Sequence, residues 1–390
     1  MFRRTRLLAL LTSTPLLVLV LVGGMLGAAR PAIGQQGFDH LPVFWDVVRL
    51  TLGAYVEPPD VDRLMDGAMR GLTDGLDAAS SYLTPEEVRA FDAGTPLPPA
   101  DTGITVTKQY YLRVVGLRDD SPAARAGIRS GDFIRAIDDV PTRDMSVHAG
   151  TRMLAGAPGS SVTLLVIRSN AAEPRPIVVT REVASTERVS SRRLPGGEAY
   201  VRIDSFGDGV VDQLRQAIGS LGAAADAGLI IDIRNTADGP LDHGIDAARL
   251  FVDAGGRLAA RQGREGAPEP VTADQGDGVF TMPVVLLVSN GTGGAAELFA
   301  AALADNGRAT LVGMPTAGIA GEQTLVRLPD DHGLLLTTAR WVRADDTPIH
   351  GQGLRPDVLV EVPIVPFDEE PPATDAVLER AVTILSTRKS

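Results

Sequence analysis

The chain has 390 residues, of which 44% are hydrophobic and 4% aromatic, which is enough for two or three globular domains. Its net charge of −12 argues against a nucleic-acid partner, because binding to phosphates requires an excess of basic residues. It contains no cysteine, which excludes disulfides and thiolate chemistry.

The first residues carry a targeting pattern. Arg3, Arg4 and Arg6 precede an apolar run from Leu7 to Ala29. A basic end followed by such a run is typical of an export signal or an N-terminal membrane anchor. We therefore predict that residues 1–34 are a signal peptide or an anchor, with both alternatives open. The protein is then expected in the periplasm or cell envelope, in contact with a membrane through this segment only.

Residues 35–98 are predicted to be helical. Apolar residues recur at helical spacing between residues 41 and 52 and again from Asp62 to Leu76. A third helix is expected after Thr84, because Thr84 suits the N-cap and Pro85 the first helical position. A proline-rich piece, residues 95–100, separates this region from the next.

Residues 99–183 are predicted to form a small β-rich module punctuated by Gly-Asp and Pro-Gly pairs. Short helices are expected at residues 122–126 and 148–154. The expected strands are Ile104–Val106, Tyr111–Val115, Asp132–Ile137, Ser161–Ile167 and Pro176–Thr180.

Within this module, the run Ser121-Pro-Ala-Ala-Arg-Ala-Gly-Ile-Arg-Ser-Gly-Asp132 resembles the middle of a PDZ domain. This resemblance implies that the module binds a peptide C-terminus by strand addition, with the carboxylate resting on backbone N–H groups. The alternative is a PDZ fold used only as a spacer or lid. The loop that would bind the peptide contains Thr102, Gly103, Ile104 and Thr105.

From residue 184 onward, strand-like and helix-like segments alternate, which favours a parallel α/β sheet. The most informative piece joins the buried strand Val284–Val288 to the helix-forming run Ala295–Leu303 through a glycine-rich turn. Backbone N–H groups and the helix dipole at such a turn suit an anion or an oxyanion. Taken alone, the turn is also compatible with ordinary packing, since it completes neither a nucleophile-elbow motif nor a phosphate-loop motif.

Four further motifs occur along the chain in the same order as in the carboxyl-terminal processing protease family. With them, the chain resembles this family over nearly its full mature length. The motifs are residues 71–83, 229–235, 337–341 and 349–358. The resemblance implies a multidomain α/β fold in which the PDZ domain precedes a crotonase-like or ClpP-like peptidase core at residues 184–390. This core would have a mainly parallel sheet and a C-terminal helix. Members of the family are serine peptidases with a Ser/Lys dyad.

The resemblance implies that the two dyad positions are occupied by residues that have neither a nucleophilic atom nor a basic one. The family's Glu after the serine matches Glu297, so Gly294 occupies the nucleophile position. The lysine position is Ile319, whereas Gln323 matches the family's supporting glutamine. A glycine has no attacking atom and an isoleucine accepts no proton. The family's oxyanion turn corresponds to residues 236–239, and this includes Asp238 and Gly239.

We therefore predict an exported pseudoprotease that binds C-terminal tails or unfolded exported proteins through its PDZ domain. One alternative is an active serine-type peptidase with a relocated nucleophile, Ser289 or Thr292, served by His243, His332 or His350. Another is a structural or regulatory subunit of an active relative, in a homo- or hetero-oligomer.

No cofactor is expected, and no metal, because the histidines lack ligand spacing. The pairs Asp242-His243 and Asp331-His332 are interpreted as solvated turns. Lys108 and Lys389 are not expected to replace the dyad base, since one lies in the PDZ domain and the other at the end of the chain.

Overall fold

The computed structural model describes residues 39–92, 97–168, 173–370 and 372–387. The segment predicted as a signal peptide or anchor, residues 1–34, and Lys389 lie outside these ranges. In the described ranges, no helix is both long enough and apolar enough to cross a membrane. The chain divides into two compact units, Met1–Met65 and Asp66–Ser390.

The N-terminal region contains three helices and one short strand. Its third helix begins as predicted: the Thr84 N–H donates to the Glu87 carboxylate at 2.8 Å, and the Glu87 N–H donates to the Thr84 hydroxyl at 3.4 Å. This reciprocal pair is a capping box, which satisfies two backbone donors that a helix start leaves free. The elements are α1 (Leu41–Ala54), α2 (Val61–Asp74), β1 (Ser81–Leu83) and α3 (Pro85–Asp92).

The β-rich module contains all five predicted strands and both predicted helices. An antiparallel sheet in the order β3-β4-β5-β7-β8 is its main layer, and β3 lies at one edge of that sheet, beside α5. β2 pairs with β9, which brings the two ends of the module together. The elements are β2 (Ala100–Asp101), β3 (Ile104–Gln109), β4 (Tyr111–Leu117), α4 (Pro122–Arg125), β5 (Phe133–Ile137), β6 (Val140–Pro141), α5 (Val147–Leu154), β7 (Ser161–Ile167), β8 (Arg175–Thr180) and β9 (Glu182–Val183).

Alternate residues of these strands point into one apolar core, as the period of a half-buried strand requires. A buried ion pair supports the core: Arg168 Nε and Nη2 each donate to Asp132 at 2.8 Å, and both side chains are less than 5% exposed. The fully buried core side chains include Leu112, Val114, Ile134, Ile137, Leu164 and Val166.

The rest of the chain forms an α/β core that begins with an antiparallel edge strand and ends with a helix. The elements are β10 (Val189–Arg193), β11 (Ala199–Ile203), α6 (Val210–Leu221), α7 (Ala223–Asp226), β12 (Leu229–Asp232), α8 (Leu241–Ala248), β13 (Arg257–Gly263), β14 (Glu269–Thr272), β15 (Val284–Val288), α9 (Ala295–Asp305), β16 (Ala309–Gly313), β17 (Gly321–Arg327), a 3-10 turn (Pro329–Asp331), β18 (Gly333–Val342), β19 (Val358–Leu359) and α10 (Ala376–Thr387).

Two sheets build this core, so the expected mainly parallel sheet accounts for only one of them. In the order β10-β11-β12-β15-β16-β19, every pair except β10–β11 is parallel. The second sheet is antiparallel: it joins β1 to β18, β13 and β14, with β17 also paired to β18. The sequence did not predict β13 and β14, because their small and charged residues lack the alternating apolar pattern of a strand.

The parallel sheet is covered on both faces, which explains the unbroken apolar runs in its strands. Leu229 and Ile231 of β12 pack in one cluster with Phe299 of α9. Ile230 points the other way and packs in a second cluster with Leu385 of α10. The strand ends that lead into α8 and α9 therefore meet at one edge of a well-buried sheet.

Candidate functional site

The turn between β15 and α9 joins a strand to a helix as a nucleophile elbow does, but its last residue, Gly294, has no side chain. Gly294 is the N-cap of α9 and has φ 57° and ψ −120°, a conformation that strains any residue with a Cβ. A Cβ added there would lie 3.6 Å from Leu241 Cδ2, an ordinary contact. The position therefore has room for a side chain and lacks only the side chain itself.

The second predicted dyad position lies directly beside this turn. A Cβ built on Gly293 would fall 2.7 Å from Ile319 Cδ1, so the isoleucine side chain packs against the glycine backbone. Ile319 is half-buried and wholly apolar. The structure thus brings Gly294 and Ile319 close together, and neither residue has a side chain that could attack a carbonyl or accept a proton.

Glu297 holds the two positions in place. Its carboxylate is completely buried and accepts four hydrogen bonds, two on each oxygen. The donors are the N–H groups of Gly294 at 3.0 Å, Gly318 at 2.7 Å and Ile319 at 2.9 Å, together with the Thr316 hydroxyl. Burial raises the pKa of the carboxyl, and the four donors oppose that rise by favouring the charged form. Sequence analysis used Glu297 only to align the motif and missed this structural role.

Gln323 is exposed on β17 and belongs to a polar network. Its amide donates to the Thr337 hydroxyl at 3.3 Å, and the Thr337 N–H donates to Ser80 Oγ at 3.1 Å. Asp77 lies 3.8 Å from His350. Burial would raise the pKa of Asp77, but hydrogen bonds from His350 and the Ser80 N–H lower it well below its usual range. The network joins the motif at residues 71–83 to the closing motif of the chain.

The Asp238 carboxylate lies within the loop that corresponds to the family's oxyanion turn. It accepts a hydrogen bond from Ser205 Oγ at 2.9 Å and lies 4.0 Å from Arg118 Nη1. Burial raises the pKa of Asp238, and Ser205 and Arg118 oppose that rise. Gly239 follows with φ 101°, and a Cβ there would fall 2.3 Å from the Phe206 carbonyl oxygen. Glycine is therefore required at 239, whereas Asp238 adds negative charge to the turn.

The end of β4 packs against the same loop. The Leu117 N–H donates to the Asn235 carbonyl at 2.9 Å, and a Cβ on Gly116 would fall 2.8 Å from Ala237 Cβ. Two residues further on, Asp119 accepts hydrogen bonds from Arg202 of the core. The β-rich module therefore contacts the loop beside the predicted nucleophile position.

The predicted peptide-binding loop closes on itself in this structure. The Gly103 N–H, which would face a peptide carboxylate, donates instead to Asp101 Oδ1 at 2.8 Å. Arg118 also bonds to Asp101. Thr102 is completely buried, and its hydroxyl has no partner among the residues that the structure describes. Ile104 and the neighbouring Thr105 begin β3, the edge strand to which a peptide would add.

The hydroxyls of Ser289 and Thr292, which were considered as relocated nucleophiles, form hydrogen bonds to nearby loop and backbone groups. Ser289 Oγ donates to the Asn235 side chain at 3.2 Å and accepts from the Gly291 N–H at 3.1 Å. Thr292 is completely buried and donates to the Ile233 carbonyl at 2.8 Å. Both side chains thus shape the turn between β15 and α9.

The three histidines proposed as their bases lie elsewhere. His243 contacts the Phe206 carbonyl at 2.8 Å, and His332 contacts the Tyr82 hydroxyl. His350 faces Asp77, as described above. Across the described part of the chain, none of the three forms a hydrogen bond to Ser289 or Thr292, and no group of three or more residues could hold a metal ion.

Lys108 also forms an ion pair with another residue and does not replace the dyad base in this structure. It lies on β3, and its ammonium group bonds to Asp74 at 2.8 Å with the side chain 15% exposed.

Comparison with known proteins agrees with this architecture. The sequence pattern of peptidase family S41 matches residues 198–360, and that of a PDZ domain matches residues 113–168. A carboxy-terminal-processing protease of Bartonella bacilliformis is 30% identical over 335 residues, covering 85% of this chain and 77% of that protein. The carboxy-terminal processing protease CtpA of Bacillus subtilis is 29% identical over 341 residues, covering 87% and 72%.

The solved structure of a photosystem II D1 C-terminal processing protease superimposes with a TM-score of 0.68 at 27% identity, covering 83% of this chain and 88% of that one. These similarities confirm the multidomain α/β fold, with a PDZ domain followed by a peptidase core. The chain belongs to the carboxyl-terminal processing proteases of peptidase family S41.

Proposed function

We propose that this chain is an exported member of its family that binds protein C-terminal tails through its PDZ domain and does not cleave them. The observation that carries the proposal is the pairing of Gly294 with Ile319 at the start of α9. Export rests on the basic and apolar sequence of residues 1–34.

The chemistry of acyl transfer explains why the substitutions at 294 and 319 matter. A serine peptidase needs an attacking oxygen and a base that removes its proton. Loss of the nucleophile alone lowers turnover by about a millionfold in a well-studied serine protease. Asp238 acts in the same direction, because a carboxylate in the oxyanion loop opposes the developing negative charge.

Tail binding is supported by the edge position of β3 and by the loop that precedes it. Strand addition supplies backbone hydrogen bonds along β3, and N–H groups of the loop hold the terminal carboxylate. The Gly103 N–H donates to the Asp101 carboxylate, so a peptide carboxylate has to displace Asp101 before it can accept this hydrogen bond. In the peptide-free protein, the Asp101 carboxylate therefore takes the place that a peptide carboxylate would occupy at the Gly103 N–H.

The absence of cleavage is tested with the purified full chain and an unstructured protein that ends in apolar residues, with products read by mass spectrometry over a day. Gly294→Ser, Ile319→Lys and the double variant are assayed in parallel. We expect no products from the natural chain or from either single variant, because only the double variant carries both an attacking oxygen and a base. Cleavage that survives exhaustive repurification of the natural chain would overturn the proposal.

Tail binding is tested separately, by titrating fluorescent peptides that carry either a free or an amidated C-terminus. Asp101→Asn is expected to tighten binding of the free acid several-fold, since it removes a competing charge. Asp212→Asn, an exposed change on α6, is the matched control and is expected to leave the affinity unchanged. Equal affinity for acid and amide, or no binding of any apolar tail, contradicts the proposed role.

A further inference from the structure

A cavity lies at the end of β3 that is farther from the predicted peptide-binding loop. The isolated bridge between Ala100 and Gly156 places the C-terminal end of α5 beside that loop. Because α5 packs along β3, its N-terminal end lies toward the other end of the strand. The cavity there has a volume of about 460 Å³ and is lined by Asp74, Leu76, Asp77, Ala78, Lys108, Gln109, Tyr110 and Arg143.

A peptide tail bound to β3 would run from the loop to this cavity. The terminal carboxylate is held before β3, so the tail is antiparallel to the strand and its earlier residues pair with later residues of β3. If the terminal residue faces Ile104, residues about four to six positions before it face Lys108 to Tyr110. A side chain of the tail at that distance from the end can therefore enter the cavity.

The charged groups that line the cavity leave one positive charge without a partner. The Asp74 carboxylate pairs with the Lys108 ammonium group at 2.8 Å. Asp77 accepts hydrogen bonds from two backbone N–H groups of its own loop, at 2.8 and 2.7 Å, and faces His350. Arg143 is exposed, and no carboxylate bonds to it in the part of the chain that the structure describes. The Arg143 guanidinium is thus the charge that remains for a ligand.

Tyr110 holds this guanidinium at the cavity. It is the single residue at the tip of the hairpin between β3 and β4, and its φ is 67°. Such a left-handed conformation is uncommon for a bulky residue, and glycine or asparagine adopts it at lower cost. Arg143 Cζ lies 4.7 Å from the centre of the Tyr110 ring, which is a cation–π contact. The strained backbone therefore presents an aromatic ring that positions the cation.

We propose that this cavity is a second subsite of the tail-binding groove, and that it binds an Asp or Glu side chain through the Arg143 guanidinium. This inference rests on the tail binding proposed above. It predicts that a preferred tail has an acidic residue at a fixed distance from its free C-terminus. A carboxylate suits the cavity better than an ammonium group does, because Asp74 and Asp77 already have donors of their own.

The test uses the full chain and fluorescent peptides that share one apolar, free C-terminus. A single Glu is moved stepwise from the second to the ninth residue before the end, and each peptide is compared with its Gln counterpart. We expect Glu to tighten binding about two- to five-fold, as one partly exposed ion pair does, and only at the positions that face residues 108–110. Arg143→Gln is expected to remove this difference. Arg135→Gln, which removes an exposed arginine of β5, is the matched control and is expected to keep it.

A second variant separates the positioning of Arg143 from the folding of the hairpin. Asparagine tolerates the left-handed conformation, so Tyr110→Asn is expected to unfold at a temperature no lower than the natural chain. Its preference for Glu is expected to weaken, because Arg143 loses the ring that holds it. An undiminished preference in this variant would exclude Tyr110 as a positioning residue and overturn that part of the proposal.

The other outcomes distinguish failure of the subsite from failure of tail binding. Binding that requires a free C-terminus but is equal for Glu and Gln at every position overturns the subsite and leaves tail binding intact. A Glu effect of the same size at all positions, or one that persists in Arg143→Gln, also overturns the subsite. Tighter binding of a matching Lys series would make Asp74 or Asp77 the attracting group, against the proposal. If no peptide binds, the proposed function itself is contradicted.

Discussion

Replacing Glu297 by glutamine is expected to destabilise the core strongly, although the two side chains have nearly the same shape. The buried carboxylate accepts two donors on each oxygen. A glutamine offers one oxygen to two of these donors and turns its NH₂ group toward the other two. A buried donor left without an acceptor costs about 1–3 kcal/mol, so we expect Glu297→Gln to lower the free energy of unfolding by about 2–6 kcal/mol.

The measurement is equilibrium unfolding in urea at pH 7, followed by circular dichroism, with the midpoint and slope compared between variants. Glu379→Gln is the control, because Glu379 is exposed on α10 and its substitution should change stability by less than about 0.5 kcal/mol. A Glu297→Gln variant as stable as the control would refute the reasoning. It would mean that burial keeps this carboxyl protonated, so that glutamine reproduces its hydrogen bonds.

Two further predictions concern other buried charges. Asp132→Ala leaves the Arg168 guanidinium buried without its partner, and we expect the unfolding free energy of the PDZ domain to fall by about 3–5 kcal/mol, measured by urea denaturation beside Asp212→Ala. Burial raises the pKa of Asp204 from 3.8 to about 6. Because the folded protein binds this proton more tightly than the unfolded chain, the contribution of Asp204 to stability is expected to fall as pH rises from about 4 to 6. Asp204→Asn should reduce that slope in thermal unfolding curves; an unchanged slope would exclude Asp204 as its source.

Local sequence determined much of the fold because its signals act over a few residues. The period-two pattern identified the strands of the PDZ domain, and the apolar run at β15 identified a strand buried on both faces. Thr84 and Pro85 marked the start of α3 through capping chemistry, which involves neighbours in the chain. The family motifs predict that Gly294 and Ile319 occupy the dyad positions.

Only the tertiary structure decided how these pieces act on one another. Glu297 contacts Thr316, Gly318 and Ile319 because β15 and β16 are adjacent in the sheet. The order of strands in a sheet cannot be predicted from the local periodicity of apolar residues. Strands β13 and β14 of the antiparallel sheet escaped prediction for a related reason: they are strands because β18 and each other supply their partners.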